Sequence, residues 1–521
     1  MRPPPALGRV VRAPGAPSWL PGARRWAHAL VLACAATLLA ACARVPDADE
    51  RQARKEQAGL SAEAARESYR RGQGIVADPN TPKDDFLARH LAVEQAVSGA
   101  PLSPGNQVKL LADGPTTYQA MLKSIAQARR YVHMETYIFE DDAEGARFAQ
   151  ALIAARNRGA EVLLMVDAVG TIKTPDALFQ RLRDAGVQVA VFNPVNPVAA
   201  RAGWSPNQRN HRKVLVVDGK VGYLGGINVS SVYESSPGSA SGSSPGSGGG
   251  SGAASGSGSN GGSGSGAGKK ETDANPDDAK QDGPKAKGDA KAAPWRDTHL
   301  RIEGPAVAQL EQVIQAGWAS QSDEPIKGGG THVAPPMGST TVRILANQPD
   351  RSDGYTVYLT LMSAFESAQK SIHITMAYFV PDPAFIEVLS AAARRGVDVV
   401  LVLPGFSDSS LVFNAGRSHY TDLLEAGVKL YERRDALLHA KTAVVDGVWS
   451  TVGSSNMDWR SFALNYEINA VVLGPEFAGE MEALFQRDVA DSVPITKETW
   501  RRRGVDDRFM EFFSRMFERW L

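Results

Sequence analysis

Apolar and polar positions alternate with two distinct periods from about Asn106 onward. TYQAMLKSIAQARR (117–130) has apolar residues at helical spacing, and YVHMETYIF (131–139) is rich in strand-forming residues. RFAQALIAARNRGAEVLLMVDAV (147–169) reads as a helix, a glycine stop and a buried strand. FQRLRDAGVQVAVF (179–192) repeats that order. The pattern predicts an α/β fold.

The same order of elements recurs in the second half of the chain. YLTLMSAFESAQK (358–370) predicts a helix, SIHITMAYF (371–379) a strand, and FIEVLSAAARRGVDVVLVLP (385–404) a helix, a glycine stop and a strand. The period is far too long for a solenoid. We therefore predict two duplicated α/β lobes, over residues 106–330 and 340–495.

Two polar regions interrupt or precede this pattern. Residues 42–105 are polar and Ala-rich, which predicts a tether or exposed helix. Residues 235–294 consist of a Gly/Ser tract and a charged tract, neither of which can bury a core. DTHLRIEGPA (297–306) matches EINAVVLGPE (467–476), which follows the second copy. Residues 235–294 are therefore expected to be a disordered insert within the first lobe.

The C-terminal segment, 496–521, predicts an amphipathic helix. Its apolar residues form one helical stripe: Phe509, Phe512, Phe513, Met516, Phe517, Trp520 and Leu521. The stripe either docks on the protein itself or lies on a lipid surface. The nearby arginines fit both possibilities.

The N-terminus has the features of an export signal. Five arginines and no acidic residue precede an apolar stretch of about 15 residues, which is short for a membrane span. The sequence that ends it, Leu39-Ala40-Ala41-Cys42, resembles the lipobox of bacterial lipoproteins. That resemblance implies cleavage of residues 1–41, lipidation of Cys42, and anchoring in the cell envelope, at the outer membrane rather than the inner one. An uncleaved membrane anchor is the alternative.

Composition narrows the possible partners. Lys+Arg and Asp+Glu are both 57, and loss of the five signal-peptide arginines leaves 52 against 57, a net charge of −5. This disfavours a nucleic-acid partner. The two cysteines, Cys34 and Cys42, cannot form a disulfide framework or a cysteine metal site in the body of the protein.

One motif, His-x-Lys-x-x-x-x-Asp, occurs twice. HRKVLVVDG contains His211, Lys213 and Asp218, and HAKTAVVDG contains His439, Lys441 and Asp446. Strand alternation would place the His and Lys of each motif on one face.

A second pattern, Gly-x-x-Asn, follows each motif at the same distance. It contributes Gly226 and Asn228 to the first copy, and Ser454 and Asn456 to the second. Chance agreement over this length is improbable.

These residue types suit phosphodiester chemistry. Lysine ammonium groups and asparagine amides can hold phosphate oxygens and stabilise the charge that develops when phosphorus is attacked. A neutral histidine can attack to give a phosphohistidine, and a protonated one can donate to the leaving oxygen. Such a site needs neither metal nor cofactor.

The duplicated motif resembles that of the phospholipase D superfamily, and the flanking phrases LLADG, ETYIFEDD, LLEAGVKLYE and LNYEI resemble those of bacterial cardiolipin synthases. The resemblance covers about 106–493. It implies two α/β/α sandwich lobes with the active site at their interface.

The resemblance also implies roles for individual residues. His211 is expected to be the nucleophile and His439 the acid, although the symmetry of the motifs leaves the order open. A carboxylate beyond each motif is expected to orient a histidine; these are Glu467, 28 residues after His439, and Asp297 in the first lobe.

The residues of the Gly-x-x-Asn pattern are expected to bind the phosphate or support the site; they are Gly226, Asn228, Ser454 and Asn456. Asp218 and Asp446 complete the catalytic motifs but are expected to be structural, pointing away from the phosphate.

The function implied is a phosphatidyltransferase that makes cardiolipin from two phosphatidylglycerol molecules. The alternatives are a phospholipase D that transfers to water, an exported phosphodiesterase or nuclease, and a non-catalytic lipid-binding protein. The last would tolerate a damaged motif, and both motifs are intact. Oligomeric state is not determined by the sequence.

Overall fold

The computed structural model describes residues 86–196, 205, 207–235, 293–329, 333–349 and 355–518. These residues belong to one compact unit. Cys42, the predicted signal, most of the insert, and Trp520 and Leu521 lie outside the described residues. No helix among the described residues is both long and apolar enough to cross a membrane.

The first lobe has the predicted alternation of strands and helices. Its strands are β1 (Ser103–Leu111), β2 (Tyr131–Thr136), β3 (Glu161–Asp167), β4 (Gln188–Phe192), β5 (Val214–Val217), β6 (Val221–Gly225), β7 (Trp295–Arg296) and β8 (His299–Glu303). Its helices are α2 (Gly114–Gln127), α3 (Ala143–Asn157), α4 (Asp176–Asp184) and α5 (Val307–Gln321), with a short 3₁₀ helix at Ser231–Tyr233. A preceding helix, α1, spans Phe86–Ser98.

The second lobe repeats this order. Its strands are β9 (Thr340–Asn347), β10 (Ser371–Met376), β11 (Phe379–Val380), β12 (Asp398–Pro404), β13 (Lys429–Arg433), β14 (Leu437–Leu438), β15 (Lys441–Val445), β16 (Trp449–Gly453), β17 (Met457–Asp458), β18 (Glu467–Leu473) and β19 (Ser492–Ile495). Its helices are α6 (Thr356–Ser367), α7 (Pro383–Arg394), α8 (Ser410–Arg417), α9 (Tyr420–Ala426), α10 (Trp459–Ala463), α11 (Pro475–Ala490), α12 (Lys497–Arg501) and α13 (Val505–Arg515).

The sheets of the two lobes are joined edge to edge. They form one 15-stranded sheet in the order β4-β3-β2-β5-β6-β8-β1-β9-β18-β16-β15-β10-β12-β13-β19. From the β1–β9 seam outward, the two halves have the same strand order, and β19 is one additional strand. The duplication seen in the sequence is therefore a pseudo-symmetry of a single sheet.

A buried asparagine holds the seam. Asn106 Nδ2 donates to the carbonyl oxygens of Ser103 at 2.6 Å and Thr340 at 3.2 Å, while its Oδ1 accepts from the backbone N–H of Ala306 at 2.8 Å. The register of β1 against β9 shifts between Ser103 and Asn106. The side-chain amide thus satisfies backbone groups near a point where the strand ladder is irregular.

The apolar core is continuous across the seam. α5 of the first lobe contributes Leu310 and Ile314, and α11 of the second contributes Phe477 and Met481, to one buried cluster. Helices α2, α3 and α4 cover the opposite face of the first half-sheet and form a separate cluster with it. Each half is therefore layered α/β/α, as expected.

Residues 42–105 are expected to be a tether or an exposed helix; their described part is a helix, α1, but it is packed rather than exposed. Helix α1 packs against α6 of the second lobe. Phe86 and Leu91 are buried, and Glu94 lies within 3.5 Å of Arg343. Alternating small and polar residues concealed this apolar face, because packing rather than propensity decides the position of such a helix.

The C-terminal helix α13 is placed unexpectedly. Its buried residues are polar, Glu511 and Ser514, while the side chains of Phe509, Phe512 and Met516 are 64%, 66% and 59% exposed. Docking of the apolar stripe on the protein itself is therefore wrong for these residues. The helix packs instead through its polar face against α8.

Candidate active site

A cavity of about 360 Å³ opens between the two lobes. Both motif histidines, His211 and His439, line it, as do both asparagines that follow the motifs, Asn228 and Asn456. The structure therefore brings together residues that are more than two hundred positions apart in sequence.

The first motif is held by a contact with the second lobe. Asn210 forms an isolated parallel bridge with Tyr466, and the backbone N–H of His211 donates to the carbonyl oxygen of Tyr466 at 2.9 Å. This pairing sets His211 beside Glu467. His211 Nδ1 is 3.0 and 3.1 Å from the two carboxylate oxygens of Glu467.

The second motif is held in the same way by the first lobe. β14 pairs in parallel with β7, with Leu438 opposite Arg296. The N–H of His439 donates to the carbonyl oxygen of Arg296 at 2.8 Å, and His439 Nδ1 lies 2.6 Å from Asp297 Oδ2. Asp488 holds the Arg296 guanidinium through two hydrogen bonds of 2.8 and 2.7 Å.

The supporting carboxylates are therefore exchanged between the lobes. Each histidine is oriented by the carboxylate of the opposite lobe, which the spacing of Glu467 from His439 along the chain did not indicate. A carboxylate on Nδ1 fixes the tautomer that leaves Nε2 free to act as base or nucleophile. Among the described residues, neither lobe alone therefore provides both a motif histidine and the carboxylate that orients it.

Both motifs begin before their strands. β5 starts at Val214 and β15 at Lys441, so His211 and His439 lie in the extended segments that cross between the lobes. Alternation of side chains along a strand therefore does not by itself explain where the two histidines lie.

Burial makes the first histidine neutral. Burial, together with the Lys213 ammonium, lowers the pKa of His211 to about 4, against the opposing effect of Glu467. Although burial raises the pKa of Glu467, His211 and Lys213 hold it below its ordinary value. At neutral pH the pair consists of an imidazole with a free lone pair and an ionised carboxylate.

The second pair likewise consists of a neutral histidine and an ionised carboxylate. Burial and the Lys441 ammonium lower the pKa of His439, against the effect of Asp297. Burial raises the pKa of Asp297, but His439 and Lys441 lower it overall. A bound phosphodiester anion would raise the pKa of a nearby imidazole and so favour a protonated acid.

The motif lysines are buried beside the histidines. Lys213 Nζ donates to the carbonyl oxygen of His211 at 2.6 Å, and Lys441 Nζ donates to that of His439. Neither lysine lines the cavity. Burial lowers the pKa of Lys441 to about 8 and that of Lys213 well below its ordinary value. They place positive charge behind the histidines, whereas direct contact with phosphate was expected.

The motif aspartates lie at strand turns. Asp218, with φ 55°, accepts hydrogen bonds of 2.7 to 2.9 Å from the backbone N–H groups of residues 129–131. Asp446, with φ 52°, does the same for residues 369–371 at 2.7 to 3.0 Å. They cap the starts of β2 and β10, which is a structural placement.

The two asparagines differ in their bonding. Asn228 Oδ1 accepts from the N–H of Ile138 at 3.1 Å, and its Nδ2 donates to Tyr233 Oη at 3.0 Å. Asn456 Oδ1 is buried and has no hydrogen-bond partner among the residues that the structure describes. Both amides line the cavity, where a phosphate oxygen could accept from them.

Gly226 and Ser454 each help to position one of the supporting carboxylates. A Cβ at Gly226 would lie 2.1 Å from Asp297 Oδ1, so only glycine allows the carboxylate to approach. At the matching position, Ser454 Oγ donates to Glu467 Oε2. This difference between the two motif copies is thus a local adjustment to Asp in one lobe and Glu in the other.

Several cavity residues were not identified from the sequence. Trp295 and Tyr137 contact the histidines edge-on or tilted, with ring centroids 5.2 Å from His439 and 5.1 Å from His211. Asp458, whose pKa burial raises to about 7, and Arg460 lie in VGSSNMDWRS, directly after the second Gly-x-x-Asn. Their closeness to that motif was the available signal. Among the described residues, no group of three or more His, Cys, Asp or Glu is arranged to hold a metal ion.

The chain is similar in sequence to known proteins. The family model described as "Cardiolipin synthase, PLD-like domain" matches residues 121–233 and 361–489. A cardiolipin synthase of Geobacillus sp. (strain WCH70) is 31% identical over 450 residues, covering 85% of this chain and 78% of the relative. Cardiolipin synthase 1 of Staphylococcus aureus (strain COL) is 30% identical over 455 residues, covering 86% and 80%.

A solved structure shows the same fold. The phosphatidylserine synthase of Haemophilus influenzae Rd KW20 superposes with a TM-score of 0.54 at 12% identity, covering 79% of this chain and 93% of that one. At this identity the likeness concerns the fold alone.

Proposed function

Because this chain belongs to the cardiolipin synthases of the phospholipase D superfamily, we propose that it is a phosphatidyltransferase that joins two phosphatidylglycerol molecules into cardiolipin and releases glycerol. The observation that carries the proposal is the pair of neutral histidines, each backed by a carboxylate of the opposite lobe, on one cavity. The chemistry divides into two displacements at phosphorus.

In the first step, His211 Nε2 attacks the phosphorus of one phosphatidylglycerol. The bond between phosphorus and the headgroup oxygen breaks, and the electron pair leaves with that oxygen. His439, protonated in the presence of the phosphate anion, gives its Nε2 proton to the departing glycerol. The product is a phosphatidyl group bound covalently to His211.

In the second step, a hydroxyl of another phosphatidylglycerol gives its proton to His439 and attacks phosphorus. The bond between phosphorus and His211 breaks, and the electron pair returns to the imidazole nitrogen. The charges of Lys213 and Lys441 behind the histidines, with the amides of Asn228 and Asn456 in the wall, favour the negative charge of both transition states.

The deciding experiment follows labelled phosphatidylglycerol in mixed micelles, with and without EDTA. Cardiolipin and free glycerol in equal amounts, insensitive to EDTA, support the proposal. Phosphatidic acid alone means that water is the acceptor and the enzyme is a phospholipase D. No lipid product would contradict both and direct the search to an exported phosphodiesterase or nuclease.

The protein is proposed to act while attached to a membrane of the cell envelope. Support comes from the lipobox-like Leu39–Cys42, which lies outside the described residues, and from α13. That helix exposes Phe509 and Phe512 and packs on α8, whose first turn contributes Val412 to the cavity wall. An apolar helix beside the cavity suits a site that takes lipid from a bilayer surface.

Membrane attachment is tested by fractionation. Cys42→Ala should release the protein from the outer-membrane fraction and abolish incorporation of labelled palmitate. Phe509→Ser with Phe512→Ser should weaken binding of the purified protein, without its lipid, to phosphatidylglycerol vesicles. Unchanged fractionation of Cys42→Ala would contradict the lipid anchor and favour an uncleaved N-terminal anchor.

A further inference from the structure

The cavity wall of the second lobe carries a polar group with no counterpart among the described residues of the first lobe. Tyr378 and Asp408 both line the cavity, and Tyr378 Oη donates to Asp408 Oδ1 at 2.6 Å. Ser407 Oγ donates to the same oxygen at 3.1 Å. Asp408 Oδ2 receives no hydrogen bond from the described residues, and Asp408 is exposed.

This pair lies on the side of the second motif. The backbone N–H of Ala377 donates to the carbonyl oxygen of Ala440, next to His439, at 2.9 Å. The carbonyl oxygen of Tyr378 accepts from the N–H of Met457, next to Asn456, at 3.1 Å. Tyr378 is therefore fixed between the two halves of the second motif.

The first lobe offers no such pair. Ile138 stands at the position of Tyr378 and is apolar. Thr171 occupies the position after β3 that Asp408 occupies after β12. The hydroxyl of Thr171 donates to the carbonyl oxygen of Asp167 at 2.7 Å. The polar group is thus an asymmetric addition to a duplicated fold.

A carboxylate is an unexpected neighbour for an anionic phosphodiester, because like charges repel. It is, however, a strong acceptor for a hydroxyl group. Burial and the charge of Asp408 raise the pKa of Tyr378 well above its ordinary value, so its phenol remains a donor to Asp408 at working pH. The free carboxylate oxygen can then accept from a hydroxyl in the cavity.

We propose that Tyr378 and Asp408 form a polyol subsite, in which Asp408 accepts a hydrogen bond from the hydroxyl adjacent to the one that reacts. This inference rests on the proposed function. In phosphatidylglycerol the headgroup has two neighbouring hydroxyls. His439 takes the proton of one, and Asp408 holds the other. The departing glycerol of the first step occupies the same place, because the two displacements are near mirror images.

The subsite assigns acceptor choice to these two side chains. An alcohol with one hydroxyl satisfies His439 but leaves Asp408 without its partner. A diol satisfies both. A site built to hydrogen-bond a substrate hydroxyl discriminates strongly against an analogue that lacks it. The Tyr378–Asp408 pair is therefore a specificity determinant rather than a part of the phosphoryl-transfer machinery.

The test uses a phosphatidyl ester of p-nitrophenol as donor, because nitrophenolate leaves without help from the subsite. Equal concentrations of 1,2-propanediol and 1-propanol compete for the resulting phosphoenzyme, and the two phosphatidyl alcohols are separated by mass. Asp408→Asn and Asp408→Ala should lower the diol-to-propanol product ratio about tenfold or more. Tyr378→Phe should lower the ratio less.

A matched control is available in the same lobe. Tyr358 also donates to an aspartate, Asp382, at 3.2 Å, but does not line the cavity. Tyr358→Phe should keep the wild-type ratio. If Asp408→Asn is too unstable to purify, Tyr378→Phe against Tyr358→Phe carries the test alone.

Two outcomes would overturn the inference. One is an unchanged product ratio in the Asp408 variants. The other is an equal fall in transfer to both alcohols, which would mean a general effect on the site. Failure of the proposed function is distinguishable, since the wild-type protein would then form no cardiolipin from phosphatidylglycerol.

Discussion

The two halves of the site solve the same problem with different side chains. In one, Asp297 reaches His439 because Gly226 leaves room for its carboxylate. In the other, the longer Glu467 reaches His211 and is restrained by the hydroxyl of Ser454. A duplicated fold thus keeps its histidines equivalent in position while the supports around them diverge.

The aromatic surroundings of the histidines differ as well. Tyr137 contacts His211, with Lys213 5.2 Å from the centre of its ring. His439 has Trp295 on one side, and its Nδ1 lies 3.5 Å from Tyr233 Oη as well as near Asp297. Two chemically identical groups in unequal environments can take unequal roles, nucleophile and acid.

Replacing either histidine should have the largest effect. His211→Ala and His439→Ala should each lower cardiolipin formation by about 10⁴-fold or more, because each removes a group that exchanges a bond or a proton with substrate. The roles separate with the nitrophenyl ester. His439→Ala should still release one equivalent of nitrophenolate and accumulate phosphohistidine, whereas His211→Ala should release none. A burst in His211→Ala would reverse the assignment.

Removing the charge of a supporting carboxylate should rank next. Glu467→Gln and Asp297→Asn should each lower turnover of phosphatidylglycerol on the order of 10²- to 10⁴-fold, because the imidazole loses its fixed tautomer. The exchange between lobes predicts which step suffers. Glu467→Gln should slow the nitrophenolate burst, and Asp297→Asn should spare it. Equal slowing of the burst in both would contradict the exchanged pairing.

The Gly226 and Ser454 positions should respond unequally. Gly226→Ala places a Cβ against Asp297, and a displacement on the order of 1 Å at such a site costs about 10²-fold in rate. Ser454→Ala removes one hydrogen bond from Glu467 and should cost about tenfold. Steady-state turnover of phosphatidylglycerol measures both. A larger loss in Ser454→Ala would show that room at Gly226 is not what positions Asp297.

The pH profile should show a milder change. Burial lowers the pKa of Lys441 to about 8, so its ammonium is present below that pH and is lost as the pH rises through it. The value of kcat/KM should then fall by about tenfold per pH unit above pH 8. On the acid side, protonation of His211, whose pKa is about 4, should limit the rate only near that pH. A flat profile from pH 7 to 10 would show that the lysine charge is not required.

Deletion of residues 235–268 should have the smallest effect. A Gly/Ser tract has few side chains that could contribute to a core, so its removal should leave turnover and thermal stability unchanged. Turnover of phosphatidylglycerol and the thermal midpoint of the shortened protein, compared with the parent, check this. A large loss of activity with normal stability would assign the tract a role at the cavity.

Much of the site was accessible from the sequence because the chemistry resides in a repeated motif. His211, His439, Asn228 and Asn456 meet at the cavity as the duplicated spacing predicted. Asp218 and Asp446 lie away from it, capping strand starts. Local spacing can predict this arrangement, because the histidine and the asparagine of each copy belong to one continuous strand–turn–strand unit.

Other features depended on contacts between distant segments. Tyr378 and Asp408 lie in separate connections and Trp295 lies in the short strand β7, and no periodic signal marks them as cavity residues. Helix α1 is packed, whereas the sequence predicts a tether or an exposed helix. The exposed apolar face of α13 rules out one of the two arrangements predicted for that helix. Hydrophobic pattern gives the face of a helix but not its neighbour.

The sequence by itself determined the duplication, the α/β alternation and the identity of the reacting side chains, because all three are encoded in local order and spacing. Only the tertiary structure decided that two half-sheets fuse at β1 and β9, and that Glu467 serves His211 while Asp297 serves His439. The physical reason is the parallel pairing of extended segments across the lobes, Asn210 with Tyr466 and β14 with β7. Backbone hydrogen bonds between segments far apart in the chain leave no trace in either segment alone.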